Sequence, residues 1–148
     1  MRAIEVVIWE IILRRVHIMA IRFLDAEEAE RFRKGINSDP EFKLAARHMT
    51  KDVLLEIGDS QRIVRVRDGV ITEIKQAPTF MDQWSFAVKG PIESWEKFLE
   101  PVPPPFYTSL FAAMIRATMS VVGDLEAAFA HFGATNRILN FMREKQNA

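Results

Sequence analysis

Residues 84–95, Trp-Ser-Phe-Ala-Val-Lys-Gly-Pro-Ile-Glu-Ser-Trp, and residues 119–125, Met-Ser-Val-Val-Gly-Asp-Leu, bound the stretch on which the reading of this 148-residue chain turns. Trp84, Phe86 and Val88 alternate with Ser85, Ala87 and Lys89, the period of two expected of a half-buried strand. Gly90 ends it. Pro91 suits a first helical turn, where its missing N–H costs nothing, and Ile92, Trp95, Phe98 and Leu99 form one apolar stripe before Pro101. Trp95 is expected to face inward. After Pro103, Pro104 and Pro105, the residues Phe106, Tyr107, Leu110, Phe111 and Met114 share a helical side, and Ile115, Ala117, Met119 and Val121 alternate as a second strand closed by Gly123-Asp124.

Working outward, Asp25 with Glu28 three residues on predicts a helix carrying Ala29, Phe32 and Ile36. Asp39-Pro40 opens a second helix through Phe42, Ala45, Ala46 and Met49. The period then changes. Val53, Leu55 and Ile57 alternate, Gly58-Asp-Ser60 turns the chain, and residues 63–67 return as a strand. Asp68-Gly69 tolerates the positive φ angles of a tight hairpin, so residues 70–75 should pair antiparallel to that strand. Residues 76–83 contain Pro78 and show no period, which predicts a loop. Beyond Asp124 comes a helix with Leu125, Ala128, Phe129 and Phe132, ended by Gly133, and then one capped by Thr135 with Ile138, Leu139, Phe141 and Met142. These elements predict an α+β domain: a five-stranded, mostly antiparallel sheet covered by about five helices.

Composition narrows the function classes. With 49% apolar and 27% charged residues, the chain is of globular type and suits one domain. Lys plus Arg and Asp plus Glu number 20 each, and no stretch concentrates the basic ones, so the footprint of a nucleic-acid binder is missing. The chain has no cysteine, which excludes a thiol nucleophile, a disulfide framework and thiolate metal ligation and fits a reducing cytoplasm as well as many other settings. His17, His48 and His131 are scattered, giving no metal-ligand spacing. No P-loop, Gly-x-Gly-x-x-Gly or Gly-x-Ser-x-Gly motif occurs, so no cofactor is implied.

Residues 4–24 are rich in Ile and Val, but Glu5, Glu10, Arg14, Arg15 and His17 interrupt them too often for a spanning helix. Two readings stand open for residues 1–18. Arg14-Arg15 is what an AGG-AGG ribosome-binding sequence reads as in protein, with Val16, His17 and Ile18 as spacer before a start at Met19. Alternatively the segment is a genuine helix or strand packing on the domain or on a partner subunit. Either way residues 1–18 are an extension and residues 19–148 the single domain.

Phe86-Ala-Val-Lys-Gly-Pro-Ile-Glu-Ser-Trp95, followed by Met119-Ser-Val-Val-Gly-Asp-Leu125, resembles the sterol carrier protein family, or non-specific lipid-transfer proteins, over roughly residues 25 to 145. The resemblance implies an apolar tunnel between sheet and C-terminal helices that holds fatty acids, fatty acyl chains or sterols, with no catalytic residue, cofactor or metal. Matching positions give Trp84, Phe86, Met119, Phe129, Phe132, Phe141 and Met142 as tunnel-lining residues, with Tyr107, Phe111 and Met114 added from the intervening segment. The run from Pro101 to Pro105 departs from the family's shorter, Gly-containing connection, so the pocket's shape is expected to differ. The ending Gln146-Asn147-Ala148 is not the Ser-Lys-Leu type of peroxisomal signal, which fits a cytoplasmic, bacterial setting better.

Composition by itself favours a close-packed core over a cavity, although eight of the eleven Phe and four of the seven Met lie between Phe80 and Met142. Two other functional classes are compatible with these residues beside the carrier. One is a cofactor-free isomerase or hydratase with Asp82 raised in pKa by an apolar cavity and Tyr107 on a substrate oxygen; the bland reading makes Asp82 a solvated loop acid and Tyr107 an interfacial aromatic. The other is an interaction module that packs its apolar second half on a partner. The expected partner is an apolar small molecule or lipid, with transient membrane contact and homo-oligomerisation left open.

Overall fold

The computed structural model describes residues 3–10, 21–116 and 118–148. Readings that rest on Arg14, Arg15, His17, Met19 or Ala117 lie outside them. A helix, α1, covers residues 3–10, and a single 3-10 turn covers Arg22–Leu24. Then come α2 (Ala26–Asn37), α3 (Pro40–Ala45), β1 (Lys51–Ile57), β2 (Ser60–Arg67), β3 (Val70–Lys75), β4 (Phe86–Gly90), α4 (Ile92–Phe98), α5 (Leu110–Ile115), β5 (Ser120–Gly123), α6 (Leu125–Ala130) and α7 (Phe132–Gln146).

The early helices start where their side chains can satisfy free backbone donors. Asp25 Oδ2 accepts from the Glu28 N–H at 3.1 Å, and Asp39 Oδ2 accepts from the Phe42 N–H at 2.9 Å with Pro40 in the first turn. Asp39 also receives Arg137 of α7 at 2.9 Å, and the Arg137 guanidinium, followed by the Phe42 N–H, holds its carboxyl below the usual carboxylate range. Because the folded value is the lower one, this tie stabilises the fold above the ordinary titration near pH ~3.9 and is lost as pH falls through the folded value. Asp39→Asn should therefore flatten the acid side of a stability-versus-pH curve; an unchanged acid limb would remove Asp39 from acid unfolding.

The sheet has the order β3-β2-β1-β4-β5. Asp68 and Gly69 both take positive φ, 49° and 78°, and join β2 to β3 as the hairpin chemistry predicts. β1 and β4 are parallel while all other neighbours are antiparallel. Register puts Val64, Val53 and Phe86 in one row across β2, β1 and β4, and Ile63, Leu54 and Ala87 in the adjacent row. The side-chain period of two sends the first row to one face and the second to the other.

The first face carries the main core. There Val53, Leu55, Ile57, Val64, Val66, Phe86 and Val88 pack with Phe32 and Ile36 of α2, Phe42 of α3, Trp95 and Phe98 of α4 and Ile138, Leu139, Phe141 and Met142 of α7. Trp95 is buried and its indole N–H donates to the Glu56 carbonyl at 2.9 Å, so it faces inward as expected. The opposite face holds a small cluster, Leu54, Ile63 and Ala87, beside an ion-pair row. The molecule is thus a two-layer α+β fold.

Three boundaries correct the sequence reading. Strand β5 starts at Ser120, and Ile115 belongs to α5, four residues after Phe111 on the same helical side. Trp84 lies outside β4, which begins at Phe86. Gly133 does not end α6, and Thr135 does not cap α7: the break falls at His131, and Thr135 Oγ1 donates back to the His131 carbonyl at 3.0 Å from inside α7. The buried stripe continues across Gly133 and overrides its weak helix propensity.

Gly123 closes the pairing of β5 with β4 at φ 101°. A Cβ there would stand 2.8 Å from the Ser85 carbonyl oxygen and 2.9 Å from Trp84 Cζ3. Gly123→Ala should cost more than about 2 kcal/mol in urea unfolding, from both strain and clash; a neutral result would mean this strand end is not held as described.

Candidate functional site

The sequence-predicted lining residues lie at three depths and not all in one place: Phe141 meets Phe32 of α2 edge-on at 5.3 Å, and the Tyr107 ring lies 5.6 Å from the Lys97 ammonium of α4. Phe86, Met119, Phe141 and Met142 are buried in the main core. Tyr107, Met114 and Phe132 are half-buried against that core. Trp84, Phe111 and Phe129 stand outside, exposed by 37%, 58% and 58%.

Local capping positions these groups. Asp124 Oδ1 accepts from the Ala127 N–H at 3.0 Å to start α6, and Ser109 Oγ accepts from the Ala112 N–H at 3.2 Å to start α5. The two short helices meet through aromatic rings. Phe132, at the first position of α7, stacks on Phe129 at 6.3 Å between centroids and meets Phe111 edge-on at 6.4 Å.

A polar stripe on α7 ties down the wall opposite the sheet. Asn136 Oδ1 accepts from the Leu110 N–H at 3.1 Å, Arg143 donates to the carbonyls of Phe98 at 2.6 Å and Tyr107 at 2.8 Å, and Asn147 donates to the Leu99 carbonyl at 2.8 Å. Burial pushes the Arg143 guanidinium below its ordinary range, and its plane covers the Phe98 ring at 4.5 Å. These residues lock the proline-rich connection onto α7. Their spacing of seven and four places all three on one side of the helix, a signal present in the sequence although apolar patterning passes over it.

The side chains of these sequence-predicted residues are thus carbon and sulfur, apart from the Trp84 indole nitrogen and the Tyr107 hydroxyl. Buried Thr135 has its hydroxyl committed to the His131 carbonyl. His131 itself, between α6 and α7, is pushed down by burial and then by Lys51.

Asp82 has the opposite of the environment required of a neutral-pH base. It receives Lys75 Nζ at 2.5 Å, Arg65 at 3.3 Å and the Thr79 N–H at 2.8 Å. The Lys75 bond, then the Thr79 N–H, hold its carboxyl below the usual range, which corrects the expectation of a raised pKa in an apolar cavity. Asp82 instead fastens the loop of residues 76–85 to the far face of the sheet, in a row with Arg65, Asp52 and Glu73. Among the described residues no three His, Asp or Glu side chains converge as metal ligands would.

No protein-family model and no curated relative matches the chain. Solved structures do. The chain is similar to the crystal structure of sterol carrier protein 2 at a TM-score of 0.63 and 15% identity, over 78% of this chain and 93% of that one. It is also similar to the solution structure of a conserved hypothetical protein from Thermus thermophilus, described as possibly sterol carrier protein, at a TM-score of 0.65 and 16% identity, over 84% of this chain and 90% of that one. The chain has the fold of sterol carrier protein 2.

Proposed function

We propose that this chain, folded as sterol carrier protein 2 is, binds apolar small molecules reversibly between its sheet and helices α5 to α7 and performs no chemistry on them. Fatty acids, fatty acyl chains and sterol-like lipids are the ligand classes, and their transfer within a bacterial cytoplasm is the role. The observation that carries the reading is the composition of that wall: Phe86, Met119, Phe132, Phe141 and Met142 offer ring and thioether surface with no acid–base pair among them. Among the described residues no helix is long and apolar enough to cross a membrane.

The buried members of this set belong to one close-packed core, so a ligand would enter by displacing adaptable side chains such as Met119 and Met142, with Phe132 at the margin. Affinity is then set by the apolar area buried. Each added methylene should contribute about 0.8 kcal/mol, or roughly fourfold in Kd, until the space is filled. Displacement of a fluorescent fatty acid from delipidated protein by a chain-length series measures this. A climb followed by a plateau supports the carrier, and no displacement at any length by the full chain sinks it. Affinity that peaks for one compact polar compound, accompanied by turnover, would replace the carrier with an enzyme.

A further inference from the structure

The loop of residues 76–85 is anchored at both ends and turned outward in the middle. Arg62 holds the near end by donating to Gln76 Oε1 at 2.9 Å, and the Ser85 N–H holds the far end by donating to the Asp52 carbonyl at 2.8 Å. Between them Thr79 to Asp82 forms a tight turn. The Asp82 N–H donates to the Thr79 carbonyl at 3.0 Å, the Thr79 N–H donates to Asp82 Oδ2 at 2.8 Å, and the Met81 N–H donates to Thr79 Oγ1 at 3.3 Å. Asp82 Oδ1 also receives Lys75 of β3 and Arg65 of β2, so the turn is closed on itself and bolted to two strands.

Phe80 and Met81 are the two corner residues of that turn. They stand 95% and 75% exposed, and Phe80 is the most exposed large apolar side chain among the described residues. A slack loop would fold a phenyl ring back onto the protein, because water expels it. Here the polar bonds fix both corners outward, so the backbone that carries them is ordered before any partner arrives.

The size and setting of the tip decide what can cover it. Fully covered, two such side chains remove roughly 350 Å² from water, less than half of the about 800 Å² that each partner of a stable protein pair contributes. The surface behind them adds no apolar area, because it is the row in which Arg65, Arg67 and Lys75 are paired with Asp52, Glu73 and Asp82. A second protein therefore gains little here. The interfacial region of a bilayer asks only for a few apolar side chains at a shallow depth, and a projecting pair at the corners of a rigid turn meets that condition. Because the charges behind the tip balance, attachment draws on apolar area and not on anionic headgroups.

We propose that the Phe80-Met81 turn inserts into the interfacial region of a lipid bilayer and docks the protein there, with the far face of the sheet toward the membrane. The inference stands on the turn and is independent of what the core binds.

The test is co-sedimentation of the full chain with phosphatidylcholine vesicles, at low and at high salt. Partition should be measurable and insensitive to salt. The Phe80→Ser, Met81→Ser double variant should lose at least about tenfold in partition, with its thermal midpoint unchanged because both side chains lie outside the core. Asp82→Asn keeps both apolar residues but loosens the turn, and should also weaken partition. A Phe80→Trp protein should gain an emission component, absent from the parent, that shifts to the blue on vesicles and is quenched by lipids spin-labelled close to the headgroup. Displacement of the fluorescent fatty acid in the absence of vesicles should be the same for parent and double variant, so this docking and the carrier reading fail separately. A full chain that does not associate with vesicles overturns the proposal. So does association that the double variant keeps, which would assign the lipid contact to another surface. A dimer in sedimentation equilibrium that the double variant loses overturns it as well, and would make the turn an anchor for a second copy.

Discussion

Phe86→Asp is expected to leave the domain unfolded at neutral pH, while Lys89→Ala, three residues along the same strand, changes stability by no more than roughly 0.5 kcal/mol. Phe86 is completely buried, sits in register between Val53 of β1 and Gly123 of β5, and belongs to the main apolar core. A carboxylate placed there loses its hydration with nothing to replace it, a cost of more than about 3 kcal/mol that takes a large share of a domain's usual 5 to 15 kcal/mol. Lys89 points to the other face, half-exposed, with its ammonium 3.9 Å from Glu56, a contact that water screens. Urea unfolding followed by far-UV circular dichroism measures both. Equal costs would mean that the buried row is not the one containing Val64, Val53 and Phe86.

The alternation that set this row was legible because a strand buried on one face repeats every two residues whatever its partners are. The Asp68-Gly69 hairpin was legible for a similarly local reason, since few dipeptides tolerate two successive positive φ angles. Where two local signals overlap, the sequence alone does not decide. Ile115, Met119 and Val121 fall on one strand face, but Ile115 also follows Phe111 by one helical turn, and the capped start of α5 at Ser109 extends the helix over it. Gly133 and Thr135 are punctuation marks that the apolar run of Ile138, Leu139, Phe141 and Met142 overrides, because tertiary burial outweighs a single residue's propensity.

The candidate site divides along the same line. That β4, β5 and the last helices would be oily follows from the Phe and Met count; which of those side chains lie inside does not. Burial of Phe86 and exposure of Phe129 depend on which elements close over them, and the parallel pairing of β1 with β4 that assembles the site joins segments far apart in the chain. Asp82 shows the converse. Its loop position was readable, but the cations that reach it from β2 and β3 arrive only through the sheet register.

Deleting residues 135–148 is expected to unfold the whole domain and not merely to open one wall of the site. The deleted segment buries Ile138, Leu139, Phe141 and Met142 in the main core. At roughly 1.5 to 3 kcal/mol for each, their burial is as large as the net stability of an ordinary domain. It also carries Arg137, bonded to Asp39 at the start of α3, Arg143, bonded to Phe98 and Tyr107, and Asn147, bonded to Leu99, so α3 and the proline-rich connection lose their ties together. The truncated chain should show no cooperative thermal transition and should expose apolar surface to a dye. Loss of fatty-acid binding in such a protein would say nothing about which residues line the site. If the truncated chain instead melts cooperatively and still displaces the fluorescent fatty acid, then α7 is neither core nor wall, and the ligand must lie against α2 and the Phe32 side of the sheet.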